Sequence, residues 1–249
     1  MFCNLRPGIW GLAWLTALSL LTAAHAKGFE DTMAERTRAC SACHGEQGRA
    51  GPDGYYPRLA GKPAGYLYNQ LKNFAEGRRH YGLMTRLVDP LSDAYLREIA
   101  AYFASLQLPY PAPTPSPART APALLARGQQ LALKGDAARQ VPACIACHGE
   151  RLTGLQPHVP GLLGLPLDYL SAQLGAWQTH QRQALAPDCM AQVVERLDSS
   201  DLIAVATWLS TQTLPTDTKA ATLRAAIPLQ PGAIPLPRCG SAPELQGTP

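Results

Sequence analysis

Methionine is scarce in this chain: of its 249 residues only four are Met, and one of those is Met1. No stretch alternates apolar and polar residues convincingly enough to read as a strand, so nothing points to a sheet-based fold. No glycine-rich nucleotide loop, Ser-His-Asp arrangement or carboxylate metal cluster stands out, and the usual sequence marks of nucleotide-binding, serine-hydrolase and carboxylate-metal chemistry are therefore missing. The formal net charge is only +4, too small to suggest nucleic acid or an anionic membrane as a partner. With 46% hydrophobic residues the composition is that of an ordinary soluble globular protein of one or two domains.

The N-terminus carries an export signal in its pattern. Arg6 supplies a short positive region, Ile9 to Leu21 is apolar, and Ala24-His25-Ala26 fits a small-x-small cleavage site. The apolar run is short for a spanning helix, so cleavage after about Ala26 is expected in place of a membrane anchor. Cys3 precedes the apolar run, where a lipid-acceptor cysteine would not stand. Residues 1–26 are expected to be removed, and the remaining chain to be periplasmic.

The chain contains two copies of one pentapeptide: Cys40-Ser41-Ala42-Cys43-His44 and Cys144-Ile145-Ala146-Cys147-His148. A Cys-x-x-Cys-His run reads as a c-type haem attachment site, with both thiols joined to the haem vinyl groups and the histidine ligating the iron. A redox or zinc Cys-x-x-Cys beside a bystander histidine is the alternative. Both copies continue as Gly-Glu, at Gly45-Glu46 and Gly149-Glu150, which makes the second a copy of the first. Two covalently bound haem c groups are expected, held by Cys40, Cys43, Cys144 and Cys147.

The duplication extends well beyond the motifs. At an offset of about 103, Pro57, Gly61, Pro63, Tyr66, Leu67, Gln70, Leu71 and Arg79 fall on Pro160, Gly164, Pro166, Tyr169, Leu170, Gln173, Leu174 and Arg182. Between the copies runs Pro109-Tyr110-Pro111-Ala112-Pro113-Thr114-Pro115-Ser116-Pro117, a density of proline that favours a semi-rigid extended linker. The expected organisation is a signal at 1–26, a first domain at 27–108, a linker at 109–122, a second domain at 123–214 and a proline-rich tail at 215–249, draped over the surface or disordered. Each domain is expected to be all-α, with three helices and long loops. The first helix spans about 29–43 or 122–134, the second begins at Pro63 or Pro166, and the third has Ser92 or Ser200 as N-cap. About 80 residues of this kind would bury a meagre core unless a large apolar group sat at its centre.

A haem iron closed to substrates needs a ligand opposite its histidine. Met84 follows His44 by 40 residues and Met190 follows His148 by 42, each between the second and third helices of its half. A lone methionine is ordinarily core filler. Scarcity and equivalent placement instead nominate Met84 and Met190 as axial ligands with His44 and His148, while Met33, without a counterpart, keeps the filler role.

These residues carry a resemblance. Each half resembles a class I cytochrome c, and the pair, with Pro57-Arg58-Leu59-Ala60-Gly61, the Tyr66 to Leu71 segment, Gly77-Arg78-Arg79 and Tyr81-Gly82-Leu83-Met84, is similar to the di-haem cytochromes of the cytochrome c-four type. The resemblance implies an all-α tandem of two small helical bundles, each around one haem. It also implies that the Pro57 and Pro160 carbonyls meet the free nitrogens of His44 and His148, and that Arg79 and Arg182 lie near haem carboxylates rather than at solvated helix ends.

The second half departs from the pattern. His180 stands where the first half has Gly77, and Cys189 directly precedes Met190. In an exported protein an unpaired thiol is unusual, and Cys239 is the other cysteine after residue 26 outside the motifs. A Cys189–Cys239 disulfide pinning the tail across the second haem is expected; the rival is a Cys189 thiolate competing with Met190 for iron. His80, His158 and His180 are expected to be surface imidazoles, with a displaced axial ligand as the alternative for each. The functional expectation is a periplasmic carrier passing single electrons between respiratory partners, such as an oxidase, a quinol-oxidising complex or a dehydrogenase, with no catalytic residues. The alternatives are a di-haem enzyme of the thiosulfate dehydrogenase type and the cytochrome subunit of a flavocytochrome-type oxidoreductase.

Overall fold

The computed structural model describes residues 30–51, 54–112, 121–222 and 234–246. The expected signal peptide, most of the linker beyond Ala112 and parts of the tail lie outside the described residues. The architecture is helical: two bundles in tandem with a C-terminal segment laid against the second.

In the first half the expected opening helix is two pieces, α1 (Met33–Arg36) and α2 (Arg38–His44). The break falls at Thr37, which is buried and whose hydroxyl donates to the Met33 carbonyl oxygen at 2.6 Å. A threonine bonding back in this way competes with the helical ladder. Next come α3 (Ala64–Ala75), α4 (Gly82–Val88) and α5 (Asp93–Ser105). Pro63 occupies the N-cap position of α3, and the Ser92 hydroxyl accepts from the Tyr95 amide at 3.2 Å to start α5. Leu67 of α3 meets Ile99, Ala100 and Phe103 of α5, while Phe74, Val88 and Leu96 join α3, α4 and α5 in a second apolar cluster. The spacing of three and four residues along α3 and α5 accounts for both seams.

The second half opens with α6 (Pro122–Leu133), whose proline stands in the first turn, inside the stretch assigned to the linker. It continues through α7 (Cys144–His148), strands β1 (Gly154–Leu155) and β2 (Val159–Pro160), then α8 (Leu167–Gln178), α9 (Cys189–Val194) and α10 (Ser199–Thr211). The strands pair antiparallel, Leu155 opposite Val159; two residues each are too few to leave an alternating pattern in sequence. The N-cap of α10 is Asp198, not Ser200. Its carboxylate accepts from the Asp201 amide at 2.9 Å, and Ser200 lies in the first turn and donates its hydroxyl to the same oxygen.

Helices α6 and α10 cross closely at Gly128, where a methyl group would come within 2.2 Å of the Ala204 carbonyl oxygen. The core they share is larger than that of the first half and runs from Leu131 through Tyr169, Leu170 and Trp177 to Val205 and Leu209. The two halves are joined by backbone as well as side chains. Arg79 and Arg182 form an antiparallel bridge, the His80 amide donates to the Gln181 carbonyl at 3.1 Å, and the Tyr66 amide to that of Pro157 at 3.2 Å.

The described part of the tail is held by a disulfide between Cys189 and Cys239, as expected. Cys239 and Ala242 are buried against Leu155 and Val159. The Asn69 amide of α3 donates to the Ser241 carbonyl at 2.9 Å, so the segment touches both halves.

Candidate haem sites

Both Cys-x-x-Cys-His runs are helical and both stop at a glycine. Gly45 and Gly149 have φ of 74° and 82°, and a Cβ on Gly45 would lie 2.4 Å from the Ala50 carbonyl oxygen, so only glycine turns the chain there. The helix ends at the histidine and the loop then folds back toward it. His44 and His148 are 6% and 7% exposed. His44 Nδ1 lies 2.8 Å from the Pro57 carbonyl oxygen, and His148 Nδ1 lies 2.7 Å from that of Pro160. A carbonyl can only accept, so each Nδ1 carries the proton and each Nε2 keeps a free lone pair. Burial lowers both imidazoles; the proline carbonyls work against this, and Arg79 and Lys62 add to it at His44 and His148 respectively. Both rings are thereby kept neutral, the form that can ligate a metal.

Three of the four motif thiols are shifted the opposite way from a redox nucleophile. Burial pushes Cys144 up to about 12 and Cys147 up to about 11, and also raises Cys40. A redox Cys-x-x-Cys works through a depressed thiol, which Cys40, Cys144 and Cys147 do not show. No group of three or more His, Cys, Asp or Glu able to hold a metal ion occurs among the described residues. A thiol pair on one helical turn beside a neutral imidazole suits thioether attachment of a haem.

Met84 and Met190 lie between the second and third expected helices of their halves, and each sits there in a short further helix, α4 and α9. In the second half Met190 shares a deep, largely apolar cavity with Cys144, Cys147 and His148, lined further by Leu170 and Val193. Met84 packs against Phe74, Val88 and Leu96. The segment before it reaches the histidine side through tyrosines: the Tyr81 and Tyr56 hydroxyls are 3.3 Å apart, and the Tyr56 ring meets His44 edge-on with centroids 6.0 Å apart. Cys189 is in the disulfide and is not a free thiolate beside Met190.

Arg79 and Arg182 are not solvated helix ends. Arg182 is buried and Arg79 half-buried at the boundary of the halves. Arg79 donates to the side-chain oxygens of Gln70 at 3.0 Å and Gln173 at 2.8 Å; Arg182 donates to the same two oxygens at 3.1 and 2.8 Å. Among the described residues neither forms a salt bridge. Burial, then the neighbouring Arg182, lowers Arg79 to about 10. Burial alone would raise the Tyr66 phenol, yet Arg182, Lys62 and Arg79 together bring it below its usual value. Three cations thus converge on one half-buried tyrosine with no carboxylate partner among the described residues, a site short of anions. Carboxylates of haem fit it.

Of the histidines set aside earlier, His80 and His180 are exposed, and His180 takes the left-handed φ of 57° that Gly77 adopts in the first half. His158 is not a free surface imidazole: its Nδ1 lies 3.0 Å from a Glu244 carboxylate oxygen and helps hold the tail. Sequence reading had also passed over Lys62 and assigned no role to Gln70 and Gln173. For the glutamines the signal was present, as a polar residue duplicated on the apolar seam of α3 and α8.

A duplicated helical bundle, each copy presenting a neutral histidine and a thiol pair at a buried site, defines a di-haem protein. Residues 31–107 match the family model for cytochrome c. A thiosulfate dehydrogenase electron acceptor of Thiomonas intermedia is 39% identical over 176 residues, covering 71% of this chain and 79% of that protein. Cytochrome c4 of Pseudomonas aeruginosa is 32% identical over 78% of this chain and 94% of its own length. Among solved structures, reduced cytochrome c4 from Pseudomonas stutzeri superimposes with a TM-score of 0.60 at 29% identity, over 73% of this chain and 97% of that one. A thiosulfate dehydrogenase from Marichromatium purpuratum superimposes with a TM-score of 0.64 at 32% identity; this chain matches 74% of its own length to 39% of that larger one. The chain belongs to the cytochrome c family, as a tandem di-haem class I cytochrome of the cytochrome c4 kind. It carries two covalently bound haem c groups and transfers electrons.

Proposed function

We propose that this chain is a periplasmic carrier that takes single electrons from a thiosulfate-oxidising dehydrogenase and passes them toward a respiratory oxidase, without oxidising thiosulfate itself. The observation that carries the reading is the Cys189–Cys239 disulfide. It takes up the one cysteine that could offer a thiolate beside Met190, which supports Met190 as the sulfur ligand of the second iron, as Met84 is read for the first. A haem ligated by histidine and methionine supplies one-electron Fe(III)/Fe(II) chemistry at raised potential with no open position for substrate. The similarity to a thiosulfate dehydrogenase electron acceptor supports the choice of donor.

In this reading Cys40, Cys43, Cys144 and Cys147 hold the two haems, and His44 with Met84 and His148 with Met190 are the axial ligands. The Pro57 and Pro160 carbonyls fix the imidazole planes. Arg79 and Arg182, oriented by Gln70 and Gln173, meet haem carboxylates at the boundary of the halves. The apolar wall around Met190 excludes water from the second site. The chain is exported by a signal peptide cleaved after about Ala26, and its domains run 27–108 and 123–214.

The test is to mix the oxidised holoprotein with thiosulfate, with and without a catalytic amount of a thiosulfate dehydrogenase, and follow haem reduction optically. Reduction of both haems only when the dehydrogenase is present supports the carrier. Reduction by thiosulfate alone would make the protein an enzyme and overturn it.

A further inference from the structure

Lys62 belongs to the first half by sequence but to the second site by position. It stands in the loop before α3, is 6% exposed, and lines the cavity shared by Cys144, Cys147, His148 and Met190. Its charge is felt at Tyr66, beside Arg79 and Arg182 on the boundary of the halves. Among the described residues its ammonium has neither a hydrogen-bond acceptor nor a carboxylate partner. A lysine this deeply buried and unpaired is costly unless an anion meets it. The repeat makes the placement asymmetric. At the offset that aligns Pro57 with Pro160 and Pro63 with Pro166, Lys62 falls on Leu165, a buried apolar residue. The second half has no lysine to match the one it receives.

We propose that Lys62 is a positioning residue for the second haem, its ammonium pairing across the boundary of the halves with a carboxylate of that haem and raising its reduction potential selectively. The inference rests on the assignment of the second haem to Cys144, Cys147 and His148. A fixed positive charge inside a low-dielectric cavity stabilises the reduced iron, which carries one positive charge fewer. Arg79 and Arg182 sit on the boundary and act on both sites, whereas Lys62 serves one. The two halves, copies of a single unit, are thereby made electrically unequal.

The experiment is an optical redox titration of the full exported holoprotein and its K62M, K62Q and K62R variants, with haem content measured for each. The wave of the second haem is identified as the one displaced in M190A. In K62M and K62Q that wave should move to lower potential, the reduction equilibrium constant falling on the order of tenfold, the effect of one charge across roughly 10 Å at an effective dielectric near 20. The wave of the first haem should stay in place, and K62R should restore the original value. Loss of the second haem in K62M with retention in K62R supports the same role. The proposal is overturned if neither wave moves in K62M, if both move equally, or if K62R shifts the potential or loses haem as K62M does, because packing alone would then explain the residue. Fewer than two haems per chain in the unsubstituted protein would instead remove the di-haem assignment beneath it.

Discussion

Arg79 and Arg182 lie side by side across the boundary of the two halves, paired through their backbones and each donating to both Gln70 and Gln173. Two like charges held this close need an anion. R79Q and R182Q are therefore expected to lower the potentials of both haems, in contrast to the single wave displaced in K62M. Optical titration of the two variants checks this; a shift confined to one wave would place the arginine at one site only.

Ligand removal should act on one half at a time. M84A is expected to leave the first iron water-ligated or high-spin at lowered potential and the second unchanged, and M190A the reverse. The far-red and near-infrared sulfur-to-iron bands should halve in each and vanish in the double variant. Full band intensity in either single variant would show that its methionine is not a ligand.

The Cys189–Cys239 bond closes a 50-residue separation, for which loop-closure entropy amounts to about 4 kcal/mol. C189S/C239S should lower the stability of the second half by up to this amount and expose segment 234–246 to protease, with the first half melting as before. Unchanged melting in the double variant would mean that the remaining tail contacts suffice.

Acid sensitivity should centre on Asp201. Burial works to raise its carboxyl, but hydrogen bonds and charges from Arg127 and Arg139 outweigh this and hold it below the ordinary value. Because the folded value is the lower one, the stability it contributes is fully present above the unfolded value of about 3.9 and is lost as pH falls through the folded one. D201N should be destabilised at pH 7 by about 2–3 kcal/mol, less than for a fully buried pair because both arginines are about a third exposed. Its stability should also fall less steeply below pH 4. Thermal melts across pH 3 to 7 measure both effects.

Gly128 permits the close crossing of α6 and α10. G128A should cost about 1–3 kcal/mol as α6 and α10 are forced apart, and it should broaden the second haem's spectrum before the first. A variant as stable as the parent would mean that the crossing yields without strain.

The chemistry that depends on local spacing is legible in the chain. Cys-x-x-Cys-His writes its geometry into five consecutive residues, the duplication is visible as matched offsets, and the apolar seams of α3 and α5 follow from their period. Two cysteines left over outside the motifs, in a chain expected to be exported, were enough to anticipate the disulfide. The rest is set by contacts between residues distant in the chain. Asp198 and Ser200 are both competent caps, and which one starts α10 depends on where the chain enters the helix. The helices holding Met84 and Met190 are too short to register as a period. The left-handed turn at His180 is imposed by the loop against the residue's own preference. Lys62 and the arginine pair depend on how one half is set against the other, and that is a sum of many weak contacts between residues about a hundred positions apart. No local pattern in the chain encodes which cavity a side chain will enter.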